Sequence, residues 1–128
     1  MQTYITQGIK ISVECQYETG QSDPGLNRFI FSYHVTIENQ SEKTVQLLKR
    51  HWKIQDSSFM MRIVDGDGVI GQQPTLEPGA LHSYTSWSPL STPIGKMSGH
   101  YIMEELITGH QFEVQIPEFK LIANFILN

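Results

Sequence analysis

This chain of 128 residues contains a single cysteine, Cys15. One thiol excludes an internal disulfide framework and any four-cysteine zinc site, and its scarcity fits a reducing cytoplasm. Positive charge is also scarce: nine Lys and Arg stand against thirteen Asp and Glu, a formal net charge of −4. A binder of the phosphate backbone needs a basic face, so nucleic acid is not the expected partner. Nowhere does an apolar run approach the roughly 20 residues of a spanning helix, and Met1 to Gln7 shows no basic n-region ahead of an apolar stretch. Neither a signal peptide nor membrane insertion is expected. Repeats, low-complexity tracts and convincing helices of ordinary length are missing too. What remains is one domain, residues 1–128, long enough to bury roughly two-thirds of its unfolded surface without metal or disulfide.

Alternation of period two fills most of the rest. Ile9, Ile11, Val13, Cys15 and Tyr17 alternate with polar residues, the mark of a half-buried strand, and place Cys15 as a small buried residue. After the turn chemistry of Gly20 to Asn27, the alternation resumes as Phe29, Phe31, Tyr33, Val35 and Ile37. From Val45 to Asp56 the apolar residues change parity near Leu47 and Leu48, which predicts a β-bulge. Further strands are expected around Phe59 to Ile63, Ala80 to Trp87, Met97 to Ile107, His110 to Ile116 and Phe119 to Leu127, with a Gly- and Pro-rich loop from Asp65 to Gly79. Seven or eight short antiparallel strands favour an all-β sandwich of immunoglobulin or fibronectin type III kind over a barrel.

Chemistry-bearing motifs are few. Gly66, Gly68 and Gly71 fit G-x-G-x-x-G, a spacing that lets backbone amides approach a pyrophosphate, with Arg50 or Arg62 as a cationic clamp. Pro74 and Pro78 follow too soon for the helix such a site needs, and Asp65 and Asp67 repel a phosphate, so those two carboxylates point instead to a weak cation site. His34, His51, His82, His100 and His110 are spread without any paired metal-ligand spacing. Arg50 and Trp52 should share one sheet face, with His51 on the other. Tyr84, Trp87, Tyr101 and Phe112 offer aromatic surface to a core or to a partner. No nucleophile elbow occurs, and the chain reads as a non-enzyme.

Taken together, Arg50-His51-Trp52, Gln73-Pro74, Pro78-Gly79, Tyr84-Thr85-Ser86, Thr92-Pro93, Gly99, Tyr101, Ile116-Pro117 and Phe119 closely resemble the bacterial ApaG family, also called CorD, over nearly the whole chain. The resemblance implies a single ApaG domain, an immunoglobulin-like sandwich, and an association with cobalt resistance and magnesium efflux. It implies a binding or adaptor role through a protein partner, with magnesium or cobalt as the only cofactors in view. It also carries an alternative: a pyrophosphate or nucleotide binder, or a diadenosine polyphosphate hydrolase, using the Gly66 to Gly71 loop. Trp87-Ser88-Pro89 departs from the family's usual Gly-Cys segment. Exposed sheet edges make a homodimer a further expectation.

Overall fold

The computed structural model describes residues 1–127, the side chains of residues 126 and 127 excepted. Its strands, in chain order, are β1 (Gln2–Thr6), β2 (Ile9–Tyr17), β3 (Phe29–Asn39), β4 (Val45–Asp56), β5 (Met61–Asp67), β6 (Thr75–Leu76), β7 (Leu81–Leu90), β8 (Ile94–Glu105) and β9 (Gln111–Ile122). Two antiparallel sheets result, ordered β1-β2-β3-β7 and β5-β4-β8-β9, with β6 pairing the start of β4. The fold is the all-β sandwich that the alternation predicts. The bulge is there as well: the β4–β8 register shifts between Leu47 and Lys49.

Several boundaries differ from expectation, each for a physical reason. β1 is an added strand. It is mostly exposed, so no apolar period announced it, and the Gln7-Gly8 turn, both at positive φ, folds it onto β2. β7 and β9 run through Pro89 and Pro117; both are edge strands, where a missing N–H costs no ladder bond. The segment expected as a strand to Leu127 leaves the sheet after Ile122, as the Ala123 amide bonds the Pro93 carbonyl and a 3-10 turn covers Asn124–Leu127. Leu127's side chain lies outside the described residues.

A single core fills the space between the sheets, with Ile11, Val35 and Ile37 facing Leu47, Met103 and Val114. Burial in β3 alternates along its whole length. Asn39 is fully buried and satisfied: its amide nitrogen donates to the Lys43 and Leu76 carbonyls and its oxygen accepts the Ser41 amide. Tyr84 and Tyr101, from opposite sheets, meet hydroxyl to hydroxyl at 2.5 Å.

Burial holds both hydroxyls protonated: it pushes the Tyr84 phenol far up and the Tyr101 phenol up as well, where the neighbouring phenol adds to the effect. An unfolded tyrosine ionises near pH 10. Below that pH both states keep the protons and the contribution is full; above it the unfolded chain releases protons that the fold retains, so stability falls as pH rises. Thermal midpoints should therefore drop steeply above about pH 10, and Tyr84→Phe should flatten that limb. A midpoint that does not change up to pH 11 would show the pair to be open to water.

The two long sides of the sandwich are closed differently. On one, β9 lies against β1 and β2: the Gln115 amide donates to Thr6 Oγ1 at 3.2 Å and the Cys15 thiol to the Lys120 carbonyl at 3.1 Å. Cys15 is thus exposed at this seam, not buried as the alternation suggested, although partial desolvation pushes its thiol pKa up. On the other side, the edges of β5 and β7 are bridged by Arg62, whose Nη2 donates to Ser88 Oγ and the Pro89 carbonyl, both at 3.2 Å.

Candidate functional site

The open side takes its shape from the β4–β5 ladder. Asp56 N donates to Met60 O at one end and Gly68 N to Leu48 O at the other. Hydrogen-bonded pairs alternate in an antiparallel ladder, so Ile54–Arg62, Trp52–Val64 and Arg50–Gly66 are bonded, and Met61, Ile63 and Asp65 turn their amides and carbonyls to the free edge. Cross-strand partners share a face, which puts Arg62, Val64 and Gly66 on the inner face with Ile54, Trp52 and Arg50. Arg50 and Trp52 share that face as expected.

Three adjoining hollows form one groove between β5 and β7. The first, ≈ 470 Å³, is lined by Leu26, Arg28, Met60 and Ser91 among others, and shares Ile54, Arg62 and Pro89 with the second, ≈ 310 Å³. The second shares Tyr33, Arg50, Trp52 and Ser86 with the third, ≈ 150 Å³, which ends at Val69, Ile70 and Gly71. Tyr33, Trp52 and Ile54 make the floor, and Trp87, 53% exposed, stands on the rim. Phe59, Met60, Met61 and Ile63 add exposed apolar surface at one end.

Three arginines and one carboxylate, Asp56, line this groove, and no arginine among the described residues lies within ion-pair distance of a carboxylate. The ion pairs among the described residues involve Lys43, His51, Lys96 and His100, never an arginine. Arg50 Nη1 donates instead to the Asp67 and Gly68 carbonyls, at 2.9 and 3.1 Å. Burial pushes the Tyr33 hydroxyl up, while its bond to Ser86 and the charges of Arg50 and Arg62 pull the other way.

The glycine motif has local causes. Gly66 makes room for Arg50: a Cβ there would lie 2.6 Å from the guanidinium carbon. Gly68, at φ +60°, turns the chain where a Cβ would strike the Gln72 carbonyl at 2.0 Å. Val69 and Gln72 bond each other's backbone around Ile70 and Gly71, both at positive φ, a type I′ hairpin turn. The Gly68, Val69 and Gln72 amides are therefore engaged within the chain. Ile70 is β-branched at φ 47°, a conformation that costs it about 1–2 kcal/mol. Ile70→Asn should raise the thermal midpoint by a few degrees, as asparagine tolerates this region and the side chain is exposed. A lower midpoint would show that Ile70 packs against something in solution.

Asp65 and Asp67 lie on the outer face of β5, in strand and not in the loop expected there. They share a ≈ 290 Å³ hollow with Lys49, Arg50, His51 and His100. His51 Nδ1 reaches Asp65 Oδ1 at 2.5 Å, and His51 stacks on His100, centroids 4.8 Å apart, whose Nε2 lies 3.8 Å from Glu113 Oε1. Asp65, His51 and His100 thus form a row across three strands that only the register reveals. Imidazole lone pairs lie in the ring plane, so stacked rings do not converge on one ion. Among the described residues no group of three or more His, Cys, Asp or Glu is placed to hold a metal, and no helix is long and apolar enough to cross a membrane.

The model of the ApaG domain matches residues 19–105. This chain belongs to the ApaG family. Protein ApaG of Brucella suis is 46% identical over 121 residues, 94% of this chain and 92% of the relative, and that of Mesorhizobium japonicum 45% over 117 residues, 91% and 89%. A Bordetella pertussis crystal structure carrying the name ApaA superposes with a TM-score of 0.87 at 43% identity, covering 90% of this chain and 93% of the other. At 10% identity, the C-terminal domain of Wzt shares the fold alone, with a TM-score of 0.57. Within this ApaG domain, the structure brings Arg50, Arg62 and Gly71 to the groove and turns Asp65 and Asp67 away from it. Arg28 and Met60 join the site without any sequence signal, because only the meeting of two sheet edges selects them.

Proposed function

We propose that this protein is a non-catalytic binding module of the cytoplasm that serves cobalt and magnesium homeostasis by docking a protein partner along the β5/β7 groove. One observation carries the docking: an open groove with an aromatic floor, an exposed tryptophan on its rim and guanidiniums that no carboxylate neutralises. Its mixture of apolar anchor and arginine is what protein interfaces are enriched in. The cation link comes from the ApaG kinship. His51 already engages Asp65, which favours a partner over direct ion capture. Immobilised protein should retain a partner from a lysate of cobalt-grown cells, and Trp87→Asp should lose it. Equal retention by the variant would move the docking surface elsewhere.

A second reading has support of its own. Unneutralised Arg50 and Arg62 favour an anion, and a pyrophosphate held between them beside Gly66, Gly68 and Gly71 is the nucleotide-binding or diadenosine polyphosphate hydrolase alternative. Titrations with pyrophosphate and with magnesium, followed at those three glycine amides, separate the readings. Saturable shifts with pyrophosphate alone favour the anion; shifts with magnesium alone would give Asp65 and Asp67 a direct role. Silence in both leaves the partner reading.

A further inference from the structure

Two guanidiniums stand on the inner face of the β5 edge at a fixed spacing. Arg62 is on it directly. Position 66 has no side chain, and the Arg50 guanidinium lies where one would project, held by the Asp67 and Gly68 carbonyls. Neutral carbonyls orient the cation and leave its charge uncancelled. Between them Val64 packs on the core. Four residues of strand separate positions 62 and 66, about 13 Å at ~3.3 Å per residue. Along the same stretch the amides and carbonyls of Ile63 and Asp65 face outward, unused by β4.

We infer that the β5 edge takes up an extended segment of a partner protein as an added strand, whose two carboxylates, four residues apart in the pattern acid-x-apolar-x-acid, meet the Arg62 and Arg50 guanidiniums. The inference rests on the protein-docking reading and names the chemistry of the partner. In an added antiparallel strand, inner-face residues lie about 5 Å from those they oppose. One acid then falls at Arg62, the other at the Arg50 guanidinium beside Gly66, and the apolar residue over Val64. Outer-face residues meet Ile63 and Asp65, where a further acid would be repelled. Main-chain bonds supply affinity in such complexes and alternate side chains supply selectivity; the carboxylate–guanidinium contacts are charge-assisted. The β7 edge opposite is less receptive, because Pro89 has no N–H and Arg62 already occupies its carbonyl.

The test uses the full chain and a fluorescein-labelled peptide, Ser-Glu-Thr-Val-Thr-Glu-Ser, beside its counterpart with both Glu replaced by Lys. Anisotropy should show saturable binding of the Glu peptide, with amide shifts centred on Ile63 and Asp65. Binding should weaken at least about tenfold for the Lys peptide, for Arg62→Glu and at raised ionic strength. Ile63→Pro removes an edge amide that β4 does not use, so it should abolish binding while the fold persists. A Glu peptide N-methylated at both threonines, the residues that oppose Ile63 and Asp65 and turn their amides to β5, tests the same bonds with the protein unaltered. Equal binding of the Lys peptide, undiminished binding of the N-methylated one, or shifts centred on another strand would overturn the inference. So would inorganic pyrophosphate saturating the groove while the Glu peptide stays free, which would assign the arginines to a small anion. Partner capture that is lost in Trp87→Asp but kept in Arg62→Glu and Ile63→Pro would overturn strand addition and leave the docking reading standing.

Discussion

Gly99→Ala is expected to abolish the fold at 37 °C. At Gly99, where the β8–β9 register shifts, a Cβ would lie 2.0 Å from the His51 carbonyl oxygen and 3.2 Å from the Trp52 Cα. Both are backbone atoms of β4, the strand that β8 pairs along its whole length. Relief requires parting the two central strands of the second sheet, so the cost should exceed the usual ~1–3 kcal/mol of overpacking, in a domain whose total stability is about 5–15 kcal/mol. Two other glycines calibrate the result. Gly109 has φ +73° but open space around it, and its alanine variant should lose only about 1 kcal/mol; Gly20 has neither strain nor neighbour, and Gly20→Ala should be close to neutral. Soluble yield and thermal midpoints for the three variants give the ranking. A Gly99→Ala protein that melts with the other two would mean that β4 and β8 part without penalty.

Trp52→Ala is the second large effect. Trp52 is 2% exposed and packs edge-on against Tyr33, centroid 5.2 Å away, and Phe119 at 6.0 Å, so one indole ties β3 of the first sheet to β9 of the second. Truncating a buried tryptophan costs about 3–5 kcal/mol. At this chain length that is a midpoint lower by roughly 10–20 °C. Trp87→Ala removes an indole that is half exposed and should change the midpoint by only a few degrees. Chemical denaturation of both variants checks the contrast, and comparable losses would show that Trp87 is covered in solution, as pairing of two copies through this side would do.

These two tryptophans also show how far sequence can carry. Alternation in β4 puts Arg50 with Trp52 and predicts the bulge after Leu47, because a strand's own pleat decides both. Pleat says nothing of partners. That Gly66 stands opposite Arg50, or His51 opposite His100, is a matter of register, and register is set by turns and by the whole core. The G-x-G-x-x-G spacing shows this limit: its three glycines have unrelated local reasons, an arginine to admit, a tight crossing and a hairpin turn. β1 has no signature in the sequence because it is exposed almost throughout, and the alternation misplaces Cys15 because it cannot tell a core from a seam. The groove itself has no sequence signature, since it exists only where edges of two sheets meet.

The seam on the opposite side has a consequence for how the chain is made. Thr6 and the Gln115 amide it accepts are 109 residues apart. At about 5–20 residues per second, a ribosome needs roughly 5–20 s to deliver the second after the first. Through that interval β2 and β3 can pair, but the apolar face of Ile9, Ile11 and Val13 has no cover, because β9 is not yet synthesised. Hairpins close in microseconds. Completion of this sandwich is therefore limited by translation, and the apolar face of its nascent first sheet stays uncovered until β9 emerges.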